Sequence, residues 1–255
     1  MDPRDLLRNL RNRYDGAKPR EWYSISNLAA GEVEIFIYDV IGESWFGGIT
    51  AGQFVSDLRS VQANKILLRI NSPGGDIFDA VAIRNALRQH PATVESHIDG
   101  IAASSASWVA LQDKVIMSPN ATMMIHEPFN FVGGDAAYLR QQADVLDMYG
   151  GQIADMYAEK AGGKPADWRA LMVAETWYTD QGAVDAGLAD EISADAAPAA
   201  ANRYDPAILN LFKHAPDRLG AHAPVVPVVN TQPDPALVRS AIDFQRIQSR
   251  LIGVA

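Results

Sequence analysis

The sequence predicts an α/β protein built on a mostly parallel sheet. Short apolar runs alternate with segments of helical spacing from residue 32 to residue 192. The run Lys65-Ile66-Leu67-Leu68-Arg69-Ile70 has the near-continuous apolar character of a strand buried on both faces. Dense turn signals, above all Asn71-Ser72-Pro73-Gly74-Gly75-Asp76, separate the runs. Strands alternating with helices imply βαβ units with right-handed crossovers.

The elements follow in order. Glu32–Tyr38 alternates and then turns apolar, which reads as a strand, and residues 50–61 form a helix with Phe54, Leu58 and Val61 on one face and Thr50 as a candidate cap. A strand over 65–70 leads through the glycine turn into a helix ending near Gln89. Thr93–Ile98 is the next strand, residues 104–111 the next helix, and Lys114–Met117 and Thr122–Ile125 are short strands. Apolar residues at 139, 143, 146, 149, 153 and 157 predict one long amphipathic helix over about 135–161. A helix near Asp180–Ala186, closed by Gly187, leads to a final strand around Leu188–Ile192.

Three divisions result. Residues 1–22 form a polar arm, 23–194 the main domain, and 195–255 an Ala/Pro-rich linker with a final amphipathic helix (Leu237, Ala241, Phe244, Ile247, Leu251). Residues 216–235 read as extended chain. The tail could dock on another protein, be trimmed, or fold back on the core, and deleting everything after 194 is expected to leave the function of the main domain intact.

Composition excludes several classes. With 48% apolar and 21% charged residues the chain has an ordinary globular balance. A net charge of -9 argues against broad nucleic-acid binding. The absence of cysteine removes thiol catalysis, disulfides and thiolate metal sites. No His-Glu-x-x-His spacing supports a metal hydrolase. The charged start at Met1-Asp2-Pro3-Arg4 lacks a signal-peptide core, and no apolar stretch is long enough for a membrane span, so a cytoplasmic protein without membrane contact is expected.

Three segments can carry chemistry. The Gly74-Gly75 turn between a strand and a helix can present N–H groups to a developing anion, or can be a plain turn capped by Asp76. In Gly100-Ile101-Ala102-Ala103-Ser104-Ser105, small residues deliver Ser104 to a helix start, where a serine can be a cap or a nucleophile. His126 ends an apolar strand before Pro128, where a neutral imidazole can act as base or can be a structural strand-end group. An orienting carboxylate has Glu175 as its candidate, with Asp180, Asp185 and Asp190 as competitors.

Together these segments resemble the ClpP family of serine peptidases. Ser72-Pro73-Gly74-Gly75 is similar to the family's Ser-Pro-Gly-Gly motif, Gly100–Ser104 to its nucleophile segment, and Met124–Pro128 to its histidine segment. Residues 179–190 are similar to its closing helix and strand. The resemblance implies the ClpP/crotonase-like fold with a long protruding helix. It also implies Ser104 as nucleophile, His126 as base, and the N–H groups of Gly75 and Ser105 as the oxyanion hole. Glu175 aligns with the family's aspartate. A homo-oligomeric ring acting on polypeptides is implied as well.

Ile37–Gly42, Asp76–Asp79, Gly134–Ala136 and Ala143–Asp147 look more like phage-encoded head maturation (prohead) proteases, which implies capsid or scaffold proteins as substrates. The rival readings are a crotonase-type acyl-CoA enzyme, a Ser-Lys peptidase using Lys114, and an inactive scaffold on the same fold.

Overall fold

The computed structural model describes residues 21–28, 31–42, 48–194 and 204–216. The eight strands make one mixed, mainly parallel sheet. They are β1 (Tyr23–Asn27), β2 (Glu32–Ile37), β3 (Lys65–Ser72), β4 (Thr93–Ala103), β5 (Lys114–Met117), β6 (Thr122–Ile125), β7 (Thr176–Thr179) and β8 (Glu191–Ile192). The helices are α1 (Ala51–Ser60), α2 (Ile77–Gln89), α3 (Ser105–Val109), α4 (Ala136–Ala161), α5 (Pro165–Val173) and α6 (Asp180–Asp185), with a 3-10 helix at Pro206–Leu211.

Strands β2, β3, β4, β5 and β8 run parallel in that order, with β1 antiparallel on the outer edge of β2. Ile66, Leu68 and Ile70 are fully buried, as the apolar run over 65–70 requires. Strand β4 is unusual in length and in pairing. Its first half, Glu95–Ile98, pairs with β5, and its last residues, Ile101–Ala103, pair with β6. The sheet therefore forks at Asp99-Gly100.

A buried ionic group stands at that fork. Asp99 accepts both the Nε and Nη2 donors of Arg69 (2.8 and 2.6 Å) and the Tyr38 hydroxyl (2.5 Å). Such a carboxylate is tolerable in the interior because each oxygen is paired. Burial and the Asp99 hydroxyl bond push the Tyr38 phenol well above its ordinary range.

The helices cover the sheet with the faces that their spacing predicts. Helix α1 buries Ala51, Phe54 and Leu58, although the Thr50 side chain makes no capping hydrogen bond. Helix α2 is capped by Asp76, whose carboxylate accepts the Asp79 N–H at 3.0 Å. Helix α4 has 26 residues, about 39 Å at 1.5 Å per residue. Only Gly150, Ile153, Ala154 and Tyr157 of it are buried, so its first half projects from the domain.

Several elements differ from the sequence-based expectation. Strands β1 and β7 and helix α5 were not expected, and the final strand is only Glu191–Ile192. The helix expected over 104–111 is shorter, Ser105–Val109, and Ser104 stands before it. At the N-terminal side, Trp22 closes the expected polar arm as a core residue. It is fully buried, donates Nε1–H to the Ile49 carbonyl at 2.7 Å and stacks on Phe54. Residues 1–20 of that arm, most of the linker and the final amphipathic helix lie outside the described residues. Residues 204–216, expected within the linker region, instead pack on the sheet. Tyr204, Ile208, Leu209 and Phe212 form a second apolar cluster with Val40, Ile101, Ala103, Met124 and Trp177.

Candidate active site

The fork in the sheet assembles the site through register alone. Ala103 of β4 lies beside Met124 of β6, so Ser104 leaves β4 beside Ile125, one residue before His126, and serine and histidine emerge from the same end of the sheet. The Ser104 N–H donates to the Met124 carbonyl at 3.0 Å and fixes this offset. Strand β7 runs antiparallel to β6 with Ile125 opposite Thr176, which brings the next pair along, His126 and Glu175, opposite each other. Ser72 at the end of β3 is paired with Ala102, which sets the glycine turn against the start of α3.

Ser104 has φ 53° and ψ -129°, a backbone conformation that costs a non-glycine residue on the order of 1–3 kcal/mol. The turn is held from behind. The Ser104 carbonyl accepts the Ser107 hydroxyl at 2.5 Å, and Ser107 is itself 2.7 Å from the fully buried Tyr157 hydroxyl. Outward, Ser104 Oγ lies 2.7 Å from His126 Nε2, the hydrogen-bond distance that a hydroxyl nucleophile and its base require.

Gly74 and Gly75 approach this serine closely. Gly74 has φ 96°, and a Cβ there would lie 2.6 Å from the Ser104 Cβ. Gly75 forms a parallel bridge with Ile41: the Ile41 N–H bonds the Gly74 carbonyl, and the Asp76 N–H bonds the Ile41 carbonyl. In such a bridge the N–H and C=O of Gly75 point away from Ile41. On that side the Ser105 hydroxyl reaches the Gly75 carbonyl at 3.4 Å. Among the described residues no backbone carbonyl takes up the N–H of Gly75 or of Ser105. Two free donors thus flank the serine.

His126 is partly buried and bordered by Phe129 and Phe212 (ring centroids 5.5 and 5.3 Å). Burial pushes its pKa down to about 4, the nearby Glu175 charge opposes this, and the Lys213 charge adds to it. The imidazole is therefore neutral at pH 7, the form that can accept a proton. Glu127, next in sequence, is paired with Arg169 of α5, which also holds Asp147 of α4 (2.9 Å). That pairing ties the histidine loop to two helices.

Glu175 is nearly buried and has φ 52°. Its carboxylate accepts the N–H groups of Lys213 and His214 at 2.8 and 2.6 Å and the Trp177 Nε1–H at 3.3 Å. Among the described residues no hydrogen bond joins it to His126. The competing acids are engaged elsewhere: Asp180 accepts the Asn120 N–H, Asp185 the Gln181 side chain, and Asp190 the Val115 N–H and Lys160. Lys114 pairs with Glu191 at 2.8 Å on the β5–β8 side of the sheet.

A cleft of about 220 Å³ opens over Ser104 and His126. Its walls are mainly apolar: Ile77 and Phe78 from α2, Leu146 and Tyr149 from α4, and Leu211 and Phe212 from the C-terminal segment. No group of His, Asp or Glu suited to a metal ion occurs among the described residues.

Comparison with known proteins settles the kinship of this arrangement. The family model for Clp protease matches residues 17–196. The chain belongs to the Clp protease family. Among curated Clp relatives, the ATP-dependent Clp protease proteolytic subunit 3 of Streptomyces coelicolor is 33% identical over 144 residues, 54% of this chain and 66% of that protein. Proteolytic subunit 2 of Corynebacterium glutamicum is 31% identical over 130 residues, covering 50% of this chain and 65% of the relative. Proteolytic subunit 1 of Leifsonia xyli is 31% identical over 130 residues, with 50% and 66% coverage. The matched stretch thus spans just under two thirds of each relative. The Clp match ends at residue 196, so the segment 204–216 that lines the cleft lies beyond it.

Sequence reasoning singled out Ser104, His126, Glu175, Gly75 and Ser105, and the structure brings all five to one end of the sheet. It missed Ser107 with Tyr157, and the Lys213 and His214 amides. Main-chain donors leave no mark in a sequence, and a serine in a helix reads as surface until its partner is placed.

Proposed function

We propose that the protein is a serine endopeptidase that works by acyl transfer. The observation that carries this reading is the 2.7 Å bond between Ser104 Oγ and His126 Nε2, beside the unengaged N–H groups of Gly75 and Ser105. Ser104 Oγ attacks the peptide carbonyl while His126 Nε2 takes its proton. The Gly75 and Ser105 amides receive the oxyanion, and His126 returns the proton to the leaving amine. Water, activated by the same histidine, releases the acid product. Glu175 supplies the negative charge that favours the imidazolium. An inactive scaffold has no need of a strained serine at hydrogen-bonding distance from a neutral imidazole.

The substrates on this reading are polypeptides, enclosed by a homo-oligomeric ring. Capsid or scaffold precursors of a phage are the finer assignment, supported by the resemblance of residues 37–42, 76–79 and 143–147 to head maturation proteases. The apolar cleft suits an extended chain with a large apolar side chain beside the scissile bond.

A fluorophosphonate probe tests the chemistry. Labelling is expected on the peptide that contains Ser104, located by mass spectrometry, and absent from Ser104→Ala. Folded, assembled protein that takes up no probe would sink the peptidase reading, and an acyl-CoA thermal shift in its place would favour the crotonase chemistry.

The pH dependence has a defined sign. A base whose pKa is pushed down to about 4 stays neutral, and so competent, as the pH falls through the ordinary histidine range. The acid limb of kcat/KM, which reports the free enzyme, is therefore expected near pH 4. A limb centred near the ordinary histidine value of about 6.5 would show that His126 is not desolvated in solution.

A further inference from the structure

The strongest unexplained feature of the site is the origin of the groups that hold Glu175. A buried carboxylate must have its lone pairs satisfied. Here the two short bonds come from the main chain of residues outside the matched family region, Lys213 and His214. Without them the Trp177 indole, at 3.3 Å, is the remaining hydrogen-bond donor to the carboxylate among the described residues. Glutamate is one methylene longer than aspartate and has one more rotor to fix. The same segment sets the Phe212 ring 5.3 Å from the His126 ring and builds a wall of the cleft.

We propose that residues 204–216 are a working part of the active site, in which the Lys213 and His214 amides act as positioning groups that hold Glu175 beside His126. This rests on the peptidase reading for its catalytic meaning. The occupancy of Glu175 by those amides does not. The apolar cluster of Tyr204, Ile208, Leu209 and Phe212 with Met124 and Trp177 anchors the segment. Its main chain then meets the carboxylate at a fixed place. The Phe212 N–H bonds the Leu209 carbonyl and its ψ of 143° is extended, and the two amides that follow meet Glu175, with the His214 Nδ1 a further 3.9 Å from the same carboxylate. Deleting the tail is therefore expected to impair the site, opposite to the expectation from sequence alone.

The proposal depends on an N–H and not on a side chain, so proline against alanine is the discriminating comparison. Lys213→Pro removes the donor, and the Phe212 backbone (φ -85°, ψ 143°) is one that a following proline accepts. Lys213→Ala keeps the donor and removes the same charge. Relative to Lys213→Ala, the proline variant of the full chain is expected to lose about 10-fold in kcat with little change in KM, the scale of a misplaced catalytic group. The charged groups that face His126 are Glu175 and Lys213. With Lys213 gone from both variants and the Phe212 cluster kept in both, the difference between their NMR titrations reads the Glu175 charge against unchanged burial of the ring. A downward shift of the His126 midpoint is expected in the proline variant.

Equal titration in the two variants, or a faster proline variant, overturns the proposal; the latter would make the segment a brake. The titration decides the matter even in a protein that hydrolyses nothing, which separates this inference from the peptidase reading. Should the proline variant fail to fold, hydrogen exchange on the unmodified protein decides. The Lys213 and His214 amides are expected to be protected, and to lose protection in Glu175→Ala. Fast exchange of both in the unmodified protein overturns the assignment.

Discussion

Ser104→Ala and His126→Ala are each expected to lower peptide hydrolysis by about 10⁴-fold or more, and the double variant no further. In the proposed mechanism the two residues act as one unit, with the 2.7 Å bond between them as the path of the proton. Removing the imidazole leaves a hydroxyl with no acceptor. Removing the hydroxyl leaves a base with nothing to deprotonate. What survives is the contribution of the Gly75 and Ser105 amides and of substrate binding, which continues without either side chain. Both variants should keep the fold, because the Ser104 side chain faces the cleft and the alanine retains the Cβ. The check is steady-state hydrolysis of a fluorogenic peptide beside the melting temperature. Losses that add up in the double variant would show that serine and histidine act separately.

Gly75→Ala is expected to remove about 100-fold or more in kcat, the effect of losing one oxyanion donor. A Cβ on Gly75 would lie 2.1 Å from the Ile41 carbonyl oxygen and 2.6 Å from the Ile41 nitrogen. Both atoms belong to main chain held in the parallel bridge, so no side-chain rotation relieves the clash. The turn must move, and the Gly75 N–H moves with it. A fold destabilisation of about 1–3 kcal/mol is expected from the same overpacking. The two effects are separable: probe labelling and turnover follow the amide, while chemical denaturation follows the clash. A variant with the turnover of the parent would show that Gly75 is no part of the oxyanion site.

The parallel framework was legible because its strands are buried on both faces and so read as apolar runs, as at Ile66, Leu68 and Ile70. The serine and histidine were legible because each follows such a run. The elements that were missed are those whose reasons lie elsewhere in the chain. Strand β7 has four residues, and both Trp177 and Tyr178 are buried, so it shows no alternation to detect. It exists because β6 offers it an edge. Strand β1 lies at an edge too, with its last residues, Ser26 and Asn27, polar and exposed. Helix α5 did carry a signal, Pro165 at its start with Trp168 and Met172 four residues apart and buried. The fork at β4 is invisible in sequence because one strand's two sets of partners follow from geometry alone. In the sequence Glu175 is one candidate acid among four until the resemblance favours it, and the antiparallel register of β6 and β7 supplies the physical reason for its place opposite His126.

That register also orders events during folding. Strands β6 and β7 are neighbours in space, but the chain between Ile125 and Thr176 must first form α4 and α5. Closing so long an excursion is entropically costly and comes late compared with the local βα units. A chain made only a few residues past β6 can bring Ser104 to His126 and yet has no Glu175 beside them. The segment that grips Glu175 is synthesised later still. On the proposed reading, full hydrolytic competence therefore arrives as one of the last steps of folding, which would keep a growing or half-folded copy from cutting its neighbours.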